Sequence, residues 1–170
     1  MTPYRPVSTV YLGLDPGFAD LGYGVIEIKD SRERCLTYGS IQTSPALPAA
    51  ARLQELYARL EEVVERFRPS HVALERIFFS KNVKTAMSVA EARGVIRLCL
   101  ENNRIPYREF GPSEVKVAVC GHGRAGKKEM QKMVQMLLNL RETPRPDDAA
   151  DALALAITLA HTRTFYRQQV

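Results

Sequence analysis

The chain has 170 residues, of which 45% are hydrophobic and 25% are charged. This ordinary globular composition predicts a single domain over 1–170, with roughly six flexible residues at each end. The net charge of +5 mildly favours a polyanionic partner such as nucleic acid. No apolar stretch suits a membrane span or a signal peptide, and Cys35, Cys99 and Cys120 form no metal or disulfide pattern, so we expect a cytoplasmic protein with no membrane partner.

The predicted elements fall into two halves. In the first half, three apolar runs bounded by turn residues predict a meander of strands, with a polar turn at 30–33. In the second half, strands alternate with helices whose apolar residues recur at three- and four-residue spacing. The predicted order is strands at 7–15, 22–29 and 35–43, a helix at 48–69, a strand at 70–79, a helix at 82–103, a strand at 105–110, and helices at 127–139 and 147–165, with 111–123 compatible with either helix or strand. This order predicts an α/β fold, a mixed sheet with helices on both faces.

Two carboxylates lie where predicted strands end. Asp15 ends the first strand just before Pro16 and Gly17, and Glu75 ends the apolar run HVALE. Chemistry in open α/β sheets collects at the carboxyl ends of strands. If the two strands are parallel neighbours, these carboxylates meet at one edge of the sheet.

Three more acidic residues open the last predicted helix. Asp148 and Asp151 are three residues apart, so they share a helical face, which continues through Leu155 and Thr158 toward the sheet. Asp147 is the alternative ligand, because it lies four residues before Asp151. An aspartate after a proline commonly caps a helix, and we prefer Asp147 as the cap and Asp148 as the ligand.

Converging carboxylates repel one another unless cations neutralise them. Ligands that are all oxygen favour Mg²⁺ or Mn²⁺ over Zn²⁺. Two such ions about 3.5–4 Å apart activate a water and stabilise the leaving oxygen of an in-line phosphodiester displacement. Each acid taken alone also fits an ordinary turn, strand-end or cap position, and only the set predicts hydrolysis of a phosphodiester.

The stretch GHGRAGKKEMQK is a candidate phosphate-binding surface. It carries Arg124, Lys127 and Lys128 around a glycine-flanked helix start, where backbone N–H groups and cations converge, and Lys116 lies just upstream. The alternative is an ordinary solvated helix face.

Phe78 and Phe79 follow Glu75 in a predicted loop. Exposed aromatic side chains beside a nuclease site stack on, or wedge between, opened bases. Burial in the core is the usual position of phenylalanine, and we expect one of the two to be buried.

Four blocks of the sequence resemble, in order and spacing, those of the RuvC family of bacterial Holliday junction resolvases. They are LGLDPGFADLGYGVIE, ALERIFFSKNVKTAMSVAEARGV, GPSEVKVAVCGHGRAGKKEMQKMV and PDDAADALALAIT, and together they span about residues 9–162. The resemblance implies an RNase H-like fold with a mixed five-stranded sheet. It also implies a homodimer that cuts two opposing strands of a four-way DNA junction symmetrically with Mg²⁺ or Mn²⁺, leaving 5′-phosphate and 3′-hydroxyl ends.

The same resemblance assigns roles to individual residues. The catalytic and metal-binding acids of the family fall on Asp15, Glu75, Asp148 and Asp151. Its base-contacting aromatic falls on Phe78, and its basic positions near the active site fall on Lys116 and Lys127. The dimer contact falls on the helix at 82–103, and the implied partner is the RuvA–RuvB branch-migration complex.

Two other functions are weighed against this one. A catalytically inert junction-binding module has the same basic charge and shows no metal dependence. An actin-like or sugar-kinase ATPase has a related topology, but it needs two such domains around one nucleotide, and 170 residues supply only one.

Overall fold

The structure, a computed structural model, describes residues 8–76 and 83–167, apart from the side chains of 83–85 and 163–167. In chain order its elements are β1 (Thr9–Asp15), β2 (Asp20–Lys29), β3 (Arg32–Gln42), α1 (Ala49–Phe67), β4 (His71–Glu75), α2 (Val83–Asn102), β5 (Tyr107–Phe110), α3 (Pro112–Cys120), α4 (Lys127–Leu137) and α5 (Asp147–Arg167). The predicted order is confirmed, and the segment that the sequence left open at 111–123 contains helix α3. Within the described ranges, no helix is both long and apolar enough to cross a membrane.

The first three strands form an antiparallel meander. Asp30 and Ser31 make the turn between β2 and β3, and their positive φ angles of 50° and 61° are those of a two-residue type I′ hairpin turn. Arg32 already pairs with Lys29, so the turn is shorter than the one predicted at 30–33.

The five strands form one mixed sheet in the order β3-β2-β1-β4-β5. β4 runs parallel to both β1 and β5. Leu14 of β1 is in register with Leu74 of β4. The next residues, Asp15 and Glu75, therefore end their strands side by side at one edge of the sheet.

Helices pack on both faces of the sheet, as predicted. Helices α1 and α2 cover one face, where Leu12 and Leu14 of β1 are fully buried against side chains such as Leu60. Helices α3, α4 and α5 cover the other face, where the core includes Phe110 and Leu153. The two cores stay separate because successive side chains of a strand point to opposite faces.

Candidate active site

Helix α5 lies directly on the backbone of β1 and β2. A Cβ atom added to Gly13 would come 1.8 Å from the carbonyl oxygen of Ala152, and one added to Gly22 would come 2.2 Å from that of Asp148. A Cβ at Gly24 would come 2.8 Å from atoms of Leu153. No other residue type fits at these contacts, because glycine alone lacks a Cβ. These three glycines, which we call the glycine floor, bring the first turns of α5 down to the end of β1.

This close approach assembles an acidic cluster. Asp15, Asp148 and Asp151 each offer a carboxylate oxygen, and these oxygens all lie within 4.8 Å of one another. Glu75 lies within hydrogen-bonding reach of Asp15, from the end of the neighbouring strand. All four carboxylates are half-buried. The structure thus brings Asp15, Asp148 and Asp151 together, with Glu75 beside Asp15.

The cluster raises the pKa of its own members. Burial, followed by the charges of Glu75 and Asp151, raises the pKa of Asp15 to about 8. Burial is also the largest cause that raises the pKa of Asp151 to about 6. The pKa of Asp148 rises as well, through burial and the nearby charge of Asp20. The raised pKa values reflect the cost of placing several negative carboxylates close together in a half-buried site. A hard divalent cation, which binds oxygen ligands, would neutralise the repulsion between these carboxylates.

The structure separates Asp147 from Asp148. The ammonium of Lys127 lies 2.7 Å from one carboxylate oxygen of Asp147, and the side chain of Gln131 donates a hydrogen bond of 2.7 Å to the other. Asp147 therefore contacts α4, whereas Asp148 joins Asp15 in the cluster. Asp147 is the first residue of α5, so the prediction that it caps the helix is wrong.

Among the predicted DNA-binding residues that the structure describes, Lys127 lies close enough to Asp151 and Asp148 for their charges to affect it. Its pKa is raised chiefly by the hydrogen bond to Asp147, and more weakly by the charges of Asp151 and Asp148. Arg124 and Lys128 are exposed in the same basic segment. Lys116 is half-buried on α3. Phe78 and Phe79, for which the sequence predicts a base contact and a buried position, lie outside the described residues.

Sequence reasoning missed two charged residues beside the acids. Asp20, at the start of β2, accepts hydrogen bonds from the side chains of Ser40 and Gln42 and lies close enough to raise the pKa of Asp148. Arg93 of α2 donates a hydrogen bond to the backbone carbonyl of Glu75. The sequence around Arg93, AEARGVI, also carries Glu91 and is followed by Arg97, so no local pattern distinguishes Arg93 from an ordinary surface charge.

Comparisons with known proteins agree with one another. The model of the family described as crossover junction endodeoxyribonuclease RuvC matches residues 11–159. A crossover junction endodeoxyribonuclease RuvC from Heliobacterium modesticaldum is 48% identical over 156 residues, which cover 92% of this chain and 96% of the relative. Its counterpart from Thermotoga petrophila is 50% identical over 145 residues, 85% of this chain and 88% of the relative.

Solved structures give the same result. The structure described as Thermus thermophilus RuvC in complex with Holliday junction substrate has a TM-score of 0.87 and 40% identity, covering 92% of this chain and 96% of that one. The mixed five-stranded sheet is accordingly of the RNase H-like type. Sequence and structure together place this chain in the RuvC family of crossover junction endodeoxyribonucleases.

Proposed function

We propose that this endonuclease resolves four-way DNA junctions with divalent metal held by Asp15, Glu75, Asp148 and Asp151. The observation that carries the proposal is the acidic cluster, in which oxygens from β1 and α5 lie within 4.8 Å of one another. When bound, Mg²⁺ or Mn²⁺, two ions per site, would activate the attacking water and neutralise the charge that builds on the phosphate. The ends produced are a 5′-phosphate and a 3′-hydroxyl.

Each acid contributes from a rigid element. Asp15 interacts with the other three carboxylates, so it is the central ligand of the set. Glu75 approaches from β4, and Asp148 and Asp151 approach from the first turns of α5. Ligands held by strand ends and a helix laid on backbone keep their spacing without relying on a mobile loop.

The basic residues hold the DNA backbone beside this site. Lys127 opens α4, where helix N–H groups and the ammonium both favour phosphate. Arg124 and Lys128 extend the positive surface, and Lys116 adds a charge from α3. Phe78 follows Glu75 by three positions, and we assign it the contact with bases opened at the junction.

We assign the contact of a homodimer to the segment 82–103, in which the structure describes helix α2 (Val83–Asn102). On α2 the side chains of Met87 and Leu98 are 64% and 55% exposed. Gly94, between them, has open space where a Cβ would stand. Large apolar side chains exposed around a small residue on one helix fit a two-fold contact between copies. Two sites related by that axis would make the paired, symmetric nicks.

The remaining assignments follow from family membership. We place the whole chain, 1–170, in a single nuclease domain that acts in the cytoplasm with the RuvA–RuvB branch-migration complex. The three cysteines are all unpaired, in keeping with a reducing compartment.

The test is cleavage of a synthetic four-way junction with Mg²⁺ or Mn²⁺, and with EDTA as the control. We expect paired symmetric nicks from the unaltered protein. Asp15→Asn, Glu75→Gln and Asp151→Asn should each reduce cleavage to the EDTA level while junction binding persists. Full cleavage by Asp151→Asn would contradict the site.

The same incubation tests the other functions. Binding of the junction without nicks in any metal identifies an inert junction-binding module. Tight ATP binding in a titration identifies an actin-like relative.

A further inference from the structure

We propose that Arg93 is a positioning residue for Glu75, fixing the end of β4 so that the Glu75 carboxylate stays within reach of Asp15. This inference rests on the proposed role of Glu75 as a metal ligand.

Arg93 is a buried charge in the middle of α2. Its side chain is only 6% exposed, although arginine is almost never fully buried without partners. Taking a charge out of water is unfavourable unless hydrogen bonds replace the lost hydration. The contacts of this guanidinium therefore identify the structure that it stabilises.

The guanidinium joins three elements. One of its terminal nitrogens, Nη1, donates a hydrogen bond to the backbone carbonyl of Glu75, at the end of β4. The other, Nη2, donates a hydrogen bond of 2.8 Å to Glu109 Oε1, on β5. A planar fork of donors makes both contacts at once, and the single ammonium of a lysine does not reproduce that geometry.

The strand pairing of the sheet holds Glu75 on one side only. The pairing between β1 and β4 ends at Leu14 and Leu74, one residue before it. On the other side, Glu75 is in register with Phe110 of β5. The hydrogen bond from Arg93 adds an anchor to this residue's own backbone. Because the carboxylate projects from the anchored backbone, holding the carbonyl also fixes where the carboxylate can reach.

Arg97 provides a matched comparison in the same helix. It lies one turn after Arg93 and its side chain donates to the same oxygen of Glu109, at 2.5 Å. Its side chain is 48% exposed. Within 8–76 and 83–167 the structure gives Arg97 no hydrogen bond to Glu75. The two arginines thus share a partner and differ in burial and in the contact with the strand end.

The experiment measures Mn²⁺ binding by titration calorimetry, without DNA, on proteins with cooperative thermal melts. Arg93→Lys should weaken Mn²⁺ binding by about 10–100-fold, the usual effect of losing a group that orients a ligand. Arg97→Lys should change it by less than about threefold, because exposed ion pairs contribute little. Glu109→Gln, which keeps the shape of the partner, should weaken Mn²⁺ binding in the same direction and tests the proposal if Arg93→Lys does not fold.

A double substitution tests whether Arg93 acts through Glu75. If it does, adding Arg93→Lys to the Glu75→Gln protein should have little further effect on Mn²⁺ binding. Cleavage by Arg93→Lys should show an unchanged KM for the junction and a lower kcat at fixed Mn²⁺, partly restored at high Mn²⁺.

The outcomes separate this inference from the proposed function. Equal Mn²⁺ affinities for Arg93→Lys and Arg97→Lys, in a protein that still cuts junctions, would overturn the role of Arg93 alone. The same holds if Arg93→Lys weakens Mn²⁺ binding equally with and without Glu75→Gln. Loss of metal-dependent cleavage in the unaltered protein would instead overturn the proposed function.

Discussion

The two faces of the sheet are built differently. Toward α1 and α2, strand β1 presents Leu12 and Leu14, which fill a core of interlocking large side chains. Toward α5, the same strand presents Gly13 and then Asp15, and the helix backbone rests on the strand. Both faces bury apolar side chains, but only the α5 face also omits side chains at three strand positions, so that carboxylates of distant segments can meet.

The largest effect on this difference between the faces is expected when a side chain is added to one of the glycines of the glycine floor. Gly22→Ala places a methyl group 2.2 Å from the carbonyl oxygen of Asp148, so α5 must move away from β2. We expect kcat to fall by about 100-fold, since displacements near 1 Å at a reacting site have effects of that size. Junction cleavage under saturating substrate measures it.

Leu60→Ala on the opposite face is the matched control. Leu60 is fully buried, so its truncation should lower the free energy of unfolding by about 2–5 kcal/mol. The kcat of the folded protein should stay unchanged. A larger loss of kcat in Leu60→Ala than in Gly22→Ala would remove the distinction between the two faces.

The acidic cluster on the α5 face should make the free energy of unfolding depend on pH. The folded protein raises the pKa of Asp15 to about 8 and that of Asp151 to about 6, from 3.8, so it binds more protons than the unfolded chain between those values. In metal-free buffer the free energy of unfolding should therefore fall as pH rises from about 4 to 8, after subtraction of the global trend. Thermal melts should show this fall, and Mn²⁺ should reverse it more at pH 8 than at pH 5.

Asp15→Asn is the control for that measurement. It removes the group with the largest shift, so the pH dependence should flatten and the stabilisation by Mn²⁺ should shrink. An unchanged slope would mean that groups outside the cluster govern the pH dependence.

The smallest effect is expected at the edge of the site. Asp147→Asn removes the ion pair with Lys127, in which both side chains are more than half exposed. Exposed pairs contribute little, so kcat and KM should each change by less than about fivefold. The same substitution one residue later, Asp148→Asn, should cause a far larger loss of cleavage. Equal losses in the two variants would place Asp147 among the ligands.

Much of the site followed from sequence because its signals are local. A carboxylate just after an apolar strand is visible at Asp15 and at Glu75, and three-residue spacing puts Asp148 and Asp151 on one helical face. The parallel pairing of β1 and β4 then brings the first two together. The order of strands and helices was also predictable from the sequence, because apolar residues recur with different spacing in strands and in helices.

The rest depends on contacts between segments far apart in the chain. The sequence preferred Asp148 to Asp147 as the ligand, but no local pattern predicts that Asp147 contacts Lys127 and Gln131 on α4 instead of capping its helix. The glycine floor looks like ordinary glycines in strands until α5 lies on it. Arg93 looks like one more surface charge until its helix packs against the sheet.

The strand order also bears on how the molecule folds. The β1–β2–β3 meander pairs neighbouring segments of the chain, whereas the contacts of α5 with β1 join its opposite ends. Short loops close faster and at lower entropic cost than long ones. We therefore expect the hairpin that carries Asp15 to form early, and the acids of α5 to reach it later, when the long connection between β1 and α5 closes. We expect the repulsion among these acids to oppose the docking of β4 and α5 onto β1, so a divalent cation should favour that docking and leave the formation of the meander unaffected.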